Sequence, residues 1–332
     1  MQDFDLESKN NFLNLNSNKE KRLNLIQNYL KKSQIHLEEN DLELNFDTFI
    51  LDLKFPQFDE DSDLIEVTIR YSIFYLEEFD YEKKRHGLRV LNHMMDNITP
   101  AKMSLNMRSE LIYDTFQKYI NDKDSVEFLG DILESMRKLL NIIESKYTSQ
   151  EHNYKKHSLV VDSMLSNCYM SSNVLVKSIY YNKFCLYVKQ MGMYTIRHME
   201  KYLTICLDSI ESSKLGYDFE KQEDLIMNSL NLIECLMQTC SLRLHTHSKR
   251  IMNYCIKIFY FYSLFLEKSN EYNNVNDEGA NDYVIDKVIQ ISNCLLKINK
   301  NGVADSARFD LNNLKANTNL NAHFITLIDK II

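Results

Sequence analysis

The chain has 332 residues, 44% hydrophobic and 26% charged, which suits one elongated or two modest folded domains. Its 6 glycines and 2 prolines are too few for the turns of a β-sandwich or an α/β sheet, and the wide separation of the glycines excludes Rossmann and P-loop nucleotide sites. The net charge of −8 argues against nucleic acid as the main partner, because phosphate binding needs a basic face.

The N-terminal segment 1–18 begins MQDFDLESKNN, which is acidic and polar. We therefore expect a flexible N-terminus without a secretory signal. The 7 cysteines lack C-x-x-C spacing and favour reduced thiols in an intracellular protein. These features predict an intracellular, cytoplasmic protein, and a nuclear location stays open.

Residues 19–332 show helical periodicity and are predicted to form a single helical-repeat domain. The acidic run FDEDSDLIE (58–66) resembles the aspartate-rich magnesium site of helical terpenoid synthases, but a second facing cluster is missing. Asp61, Ser62 or Asp63 is expected instead to cap the helix that follows. Further along, Thr99 is a predicted cap, with Pro100 at the first helical position. Gly192 is predicted to close the helix SSNVLVKSIYYNKFCLYVKQM, because glycine tolerates left-handed backbone geometry.

A basic helix is predicted over YEKKRHGLRVLNHMM (81–95), with Gly87 in its interior. A glycine there costs about 1 kcal/mol relative to alanine, so we expect a neighbouring helix to approach closely at Gly87. The apolar residues predicted on the same face are Leu88, Leu91 and Met95. The basic residues on the other side are Lys83, Arg85 and Arg89. Their side chains form either a solvated face or a contact surface for an acidic partner.

The stretch QTCSLRLHTHSKRIM (238–252) lies between two apolar segments. Cys240, His245 and His247 suggest either a partial metal site or a polar turn between two helices. Zinc needs four ligands, or three and a water, and neither H-E-x-x-H nor C-x-x-C completes the set. We predict a turn, with no metal and no cofactor.

The next segment, IMNYCIKIFYFYSLFLE (251–267), is too short for a membrane span, which needs about 20 apolar residues, and predicts a buried helix. The Asn- and acid-rich stretch 269–281 predicts a mobile loop. About a dozen helices arranged in pairs match the roughly 40–47 residues of a HEAT or armadillo unit. The predicted fold is all-α: a right-handed α-solenoid of antiparallel helix pairs.

Three stretches, in order, resemble blocks of the Tel-two-interacting protein two family. YLEEFDYEKKRHGLRVLNHMMDNI is similar to a block in which an acidic turn precedes a K/R-x-x-G-x-x-L-L helix. KQMGMYTIRHMEKYLTICLDSI is similar to a glycine followed by a T-x-R/K-x-L helix, with Met199 in place of the leucine. SLNLIECLMQTCSLRLHTHSKRIMNYC is similar to a helix ending in C-W-P-R-I, but Ser241 and Leu242 replace the Trp and Pro. The matching residues are Lys84, Gly87, Val90, Leu91, Gly192, Thr195, Arg197, Cys240, Arg243 and Leu244.

The resemblance implies an α-solenoid subunit of the Triple-T co-chaperone complex, with the Tel-two protein and Tel-two-interacting protein one as partners. The complex works with the Hsp90 machinery to mature PI3-kinase-related kinases, including the target-of-rapamycin and DNA-damage checkpoint kinases. We therefore expect a non-enzymatic scaffold that binds neither nucleic acid nor membrane. Arg243 and the basic helix 83–89 are the candidate contact residues.

Two other functions stay open from the sequence. One is a different HEAT-type adaptor, for example in transport or trafficking. The other is an all-α enzyme with dispersed catalytic residues, which a deep polar pocket would favour and shallow grooves would disfavour.

Overall fold

A computed structural model of the chain describes residues 3–35, 41–121, 126–144, 154–212, 219–272, 282–298, 312 and 322–330. Within these ranges the regular structure is entirely helical, which confirms the all-α prediction. The chain divides into two compact units, Met1–Val160 (unit 1) and Val161–Ile332 (unit 2). The prediction of one domain over 19–332 stays a prediction, because successive helical repeats contact only their neighbours and also separate into compact groups.

The helices of unit 1 follow one another with short connections. In chain order they are α1 (Asp3–Ser33), α2 (Leu42–Asp52), α3 (Gln57–Glu60), α4 (Ser62–Leu76), α5 (Tyr81–Asp96), α6 (Pro100–Met103), α7 (Arg108–Ile120), α8 (Val126–Glu144) and the beginning of α9 (Lys155–Met170). A 3₁₀-helix, Leu105–Met107, precedes α7.

Unit 2 contains the rest of α9 and longer helices. In chain order they are α10 (Val174–Met191), the 3₁₀-helix Gly192–His198, α11 (Met199–Ser212), α12 (Phe219–Thr239), α13 (Ser241–Tyr272), α14 (Asp282–Ile298) and α15 (Ala322–Asp329). None of the described helices is long and apolar enough to span a membrane.

Helix ends test several sequence predictions. The Asp61 carboxylate accepts hydrogen bonds from the backbone N–H groups of Asp63 (3.0 Å) and Leu64 (2.9 Å), so the acidic run caps α4 as predicted. Pro100 is the first residue of α6, also as predicted. Thr99 is the N-cap residue of α6, as predicted, but its side chain makes no capping hydrogen bond; its hydroxyl donates to Asp59 at 2.7 Å instead.

Two predicted irregular segments have a helical part. Residues 3–18 of the expected flexible N-terminus belong to α1. The expected loop 269–281 begins inside α13, which continues to Tyr272, and residues 273–281 lie outside the described part of the chain. The apolar segment 251–267 lies in α13, as predicted.

Polar contacts between the helices of unit 1 recur at a regular sequence separation. Helices α5 and α8 are joined by pairs 46, 43 and 42 residues apart, and the positions increase together along both helices. These pairs are Arg85 with Asp131, Asn92 with Ser135 and Asp96 with Lys138. Helices α4 and α7 are joined by Ser62 with Arg108 and Leu76 with Tyr119, at separations of 46 and 43. α5 and α8 therefore run in the same direction, as do α4 and α7.

Unit 2 shows the same kind of contact at slightly larger separations. Ser178 on α10 accepts a hydrogen bond from Asn228 on α12, 50 residues later. Glu234 on α12 pairs with Lys287 on α14, 53 residues later. Within unit 2, α10, α12 and α14 thus contact one another in succession.

The backbones of α4 and α5 approach each other closely at Gly87. A Cβ atom added at Gly87 would come within 2.7 Å of both the Ser72 carbonyl oxygen and the Tyr75 Cβ. Real atoms do not approach so closely, and both neighbours are held by the backbone of α4. The prediction that a helix packs directly against Gly87 is confirmed.

A buried ion pair joins α1 to the turn before α5. The Arg22 guanidinium donates to Glu78 at 2.6 Å and to Glu43 at 2.7 Å, and it lies 4.2 Å from the Tyr75 ring centre. Arg22 is 2% exposed, and the Glu78 side chain 1%. Burial alone lowers the pKa of Arg22, but the two carboxylate hydrogen bonds outweigh it and raise that pKa. The charge is therefore retained inside the unit.

We predict that Gly87→Ala destabilises the protein by about 1–3 kcal/mol, because overpacking exceeds the roughly 1 kcal/mol gain in helix propensity. The measurement is urea unfolding followed by circular dichroism. Arg89→Ala is the matched control, since Arg89 is exposed on the same helix. An unchanged or higher midpoint for the Gly87 variant would contradict the packing described here.

We also predict that Arg22→Met costs about 3–5 kcal/mol, since it leaves the Glu78 carboxylate buried without its cation. Adding Glu78→Gln should restore part of the loss. Arg70→Met removes the exposed pair with Glu66 and should change the unfolding free energy by less than about 1 kcal/mol. Equal losses for Arg22→Met and Arg70→Met in urea unfolding would refute a dominant role for the buried pair.

Candidate functional site

Two carboxylates in the acidic turn before α5, Glu78 and Asp80, have structural roles. Asp80 caps α5 by accepting a hydrogen bond from the Glu82 N–H at 2.9 Å. Glu78 accepts from the buried Arg22, and the Lys83 amine lies 3.7 Å from its second oxygen. The turn thus starts α5 and attaches it to α1.

The motif residues of α5 contribute mainly to packing. Gly87 and Leu91 are buried, with Leu91 fully inaccessible. The Lys84 amine lies 5.4 Å from the centre of the Tyr119 ring, in reach of a cation–π contact between α5 and α7. None of the three is freely presented to a partner.

The outer side of α5 forms a groove with α8, of about 510 Å³. Its lining residues are Glu82, Arg85, His86, Leu88, Arg89, Asn92, Asp131, Glu134 and Ser135. Charges of both signs lie in it and largely satisfy one another: Arg85 reaches Asp131 at 3.3 Å. Arg89 is exposed and pairs with no carboxylate among the described residues.

The second block surrounds the end of α10. Gly192 ends this helix with φ 56° and ψ −132°, a backbone conformation that favours glycine, as predicted. Thr195 is fully buried and its hydroxyl donates to the Val188 carbonyl at 3.4 Å. Arg197 is exposed, and its guanidinium lies 5.6 Å from the Tyr194 ring centre.

The third block is not the polar turn that the sequence suggested. α12 ends at Thr239 and α13 begins at Ser241, so Cys240 alone joins them. The Cys240 N–H donates to the Leu236 carbonyl at 2.8 Å, while its own carbonyl accepts from Arg243 N–H at 3.0 Å. Cys240 is 1% exposed, and burial raises the pKa of its thiol to about 11. A buried link of one residue leaves no room for a loop.

The structure separates the candidate residues into two sets. Lys84, Gly87, Val90 and Leu91 belong to unit 1, and the other six matching residues, Gly192, Thr195, Arg197, Cys240, Arg243 and Leu244, belong to unit 2. Among the described residues, no three His, Cys, Asp or Glu side chains converge as metal ligands would. His247 instead lies 3.4 Å from Glu200 on α11, through Nδ1 and Oε2.

Two features of unit 2 were missed by sequence reasoning. His198 is 4% exposed, with Nδ1 3.3 Å from the Asp162 carboxylate; burial lowers the pKa of His198, and Asp162 only partly opposes this. The side chains of Cys185 on α10 and Cys235 on α12 interact, and this interaction lowers the pKa of Cys235. Both contacts join residues far apart in the chain, so no local motif marks them.

No protein-family model matches this chain, and neither a curated protein nor a solved structure is significantly similar to it. The residues themselves therefore carry the functional interpretation.

We predict that His198 makes the stability of unit 2 depend on pH. Its folded pKa lies below the ordinary value of about 6.5, so its unfolded form takes up a proton first as the pH falls. The associated stability is present above about pH 6.5 and is lost as the pH falls through the folded pKa. Urea midpoints at pH 7.5 and pH 5.0 measure the loss.

The neutral variant His198→Gln should lose less stability between those two pH values than the wild type does. His247→Gln is the control, because that side chain is 21% exposed. If His198→Gln keeps the full wild-type pH dependence, His198 is not its source.

Proposed function

We propose that this chain is a non-enzymatic scaffold, a right-handed α-solenoid of antiparallel helix pairs, and a subunit of the Triple-T co-chaperone complex. In this role it binds the Tel-two protein and Tel-two-interacting protein one. The complex then supports Hsp90-dependent maturation and stability of PI3-kinase-related kinases.

The observation that carries the scaffold part is the regular offset between contacting helices. In unit 1, α4 contacts α7 and α5 contacts α8 through residues 42 to 46 positions apart. A HEAT or armadillo unit is a helix pair of roughly 40–47 residues. The separation between the contacting residues therefore equals the length of one such unit, which supports a stack of repeats. Such stacks present long surfaces to partner proteins.

The state of the charged side chains supports a binding role over catalysis. In the α5–α8 groove, Asp131 contacts Arg85, and Glu134 contacts Arg137. The His86 Nε2 lies 2.8 Å from Asp47. These acidic and basic groups pair with one another inside the protein, as the members of a structural ion-pair network do.

The assignment to the Triple-T complex rests on the resemblance of the three blocks. The matching residues have roles that a helical stack requires. Gly87 permits close packing, Gly192 ends α10, and Cys240 joins α12 directly to α13. Substitution at any of these positions changes how neighbouring helices meet.

The departure at Ser241 and Leu242 favours a second candidate. A different HEAT-type adaptor, for example in transport or trafficking, would keep the helical stack and lack the Trp-Pro pair of the third block.

We predict that the tagged chain, purified from cells at native expression, recovers the Tel-two protein and Tel-two-interacting protein one in comparable amounts. Quantitative mass spectrometry makes the measurement, with an unrelated helical-repeat protein as the control bait. Depletion of the chain should lower the steady-state levels of PI3-kinase-related kinases. Recovery of neither subunit would contradict the assignment to the Triple-T complex. Recovery of transport or coat proteins would instead support a different HEAT-type adaptor.

A further inference from the structure

On one face of unit 2, basic side chains of α13 contact α11. Arg250 donates to the Glu200 carboxylate and, at 3.0 Å, to the Thr204 hydroxyl. His247 lies 3.4 Å from the other oxygen of Glu200. Arg250 contacts Glu200 and Thr204, and His247, which precedes Arg250 on α13, contacts Glu200. Later residues of α13 thus contact later residues of α11. The two helices therefore run in the same direction along this contact.

This direction places two further arginines toward one end of the contact. Arg243 precedes His247 by about one helical turn and shares its face of α13. Arg197 precedes Glu200 by a similar step along the chain. Both arginines are exposed, and neither pairs with a carboxylate within the described residues. We call Arg197, Arg243, His247, Arg250 and Glu200 the basic surface.

The basic surface has an excess of positive charge. It contains three arginines and one glutamate, which leaves a net charge of two positive charges when the histidine is counted as neutral. The neighbouring Lys201 and Asp162 neutralise each other at 2.6 Å. The whole chain carries −8, so this face has a sign opposite to that of the protein. Such a face steers negatively charged partners toward itself.

Apolar groups border the basic surface at the Arg197 end. Tyr194 is 37% exposed and Met193 60% exposed. Tyr, Met and Arg are the residue types enriched at protein–protein interfaces, and Tyr and Arg dominate their binding energy. The Arg197 guanidinium lies over the Tyr194 ring, so the charged and apolar parts of the surface are contiguous.

We propose that the basic surface docks an acidic segment of a partner protein. Arg197 and Arg243 pair with its carboxylates, because guanidinium groups bind carboxylates through two parallel hydrogen bonds. An apolar residue between those carboxylates packs on Tyr194 and Met193. The proposal deepens the scaffold function proposed above and rests on it for the statement that the ligand is a protein.

A protein segment fits the basic surface better than a nucleic acid. A polyphosphate chain needs an extended positive track, whereas this surface has few cations and a carboxylate at Glu200 within it. The net charge of −8 also repels a long polyanion.

The test uses the full chain and a fluorescein-labelled peptide of sequence EEDFLDEE, followed by fluorescence anisotropy. We expect saturable binding that weakens with added salt. The neutral peptide QQNFLNQQ should not bind. The double substitution Arg197→Glu with Arg243→Glu should weaken binding by about tenfold or more, since two charge pairs are lost and replaced by repulsion.

The matched control is Lys118→Glu with Lys189→Glu, which changes two exposed cations elsewhere by the same charge. It should bind the acidic peptide like the wild type. Circular dichroism and thermal melting confirm that both double variants fold. Absence of peptide binding, or equal binding by both variants, overturns the proposal. Tighter binding of oligothymidylate than of the peptide, lost in the arginine variant, overturns it in favour of nucleic acid.

Failure of this proposal is distinguishable from failure of the proposed function. If the arginine variant still recovers both Triple-T subunits and the peptide does not bind, the docking surface is wrong and the scaffold function stands. If the peptide binds through the two arginines but neither subunit is recovered, the Triple-T assignment is wrong and the docking surface stands.

Discussion

The backbone of α4 lies so close to Gly87 of α5 that no side chain fits between the two helices. This contact sets the position of Tyr75, and the Tyr75 ring is one wall of the site that holds the Arg22 guanidinium. A buried cation is tolerated only when its hydrogen-bonding partners are held in place. The ion pair of Arg22 with Glu78 therefore depends on the α4–α5 packing, and in turn it attaches α1 to the turn that starts α5.

Packing and the proposed binding involve different residues of the motif blocks. Gly87, Leu91, Thr195 and Cys240 are buried, where they determine how closely helices approach and where they end. Arg197 and Arg243 lie outside, beside the contact between α11 and α13. The buried residues position the helices, and the position of the helices brings exposed charges from distant parts of the chain onto one face. Because the exposed charges do not position the helices, they can be substituted without disturbing the packing of the buried residues.

Sequence reasoning succeeded where the cause is local. Asp61 caps α4 because its carboxylate lies within reach of the N–H groups of the residues two and three positions later, which have no partner inside the helix. Gly192 ends α10 because its backbone conformation excludes most side chains. It failed where a distant group competes. The Thr99 hydroxyl donates to Asp59 and does not bind the helix N–H groups. The segment 238–252, predicted as a turn, is helical on both sides of Cys240.

The sequence by itself determined that the described part of the chain is helical, where α4 and α5 begin, where α10 ends and that a helix packs against Gly87. Each of these follows from propensity, capping or glycine geometry within about one helical turn. Only the tertiary structure decided that Arg22 is buried between two carboxylates, that His198 lies beside Asp162, and that Arg250 meets Glu200. These partners are 21 to 56 residues apart in the chain. Stacking of helices brings them together, and no local pattern specifies which charges will meet.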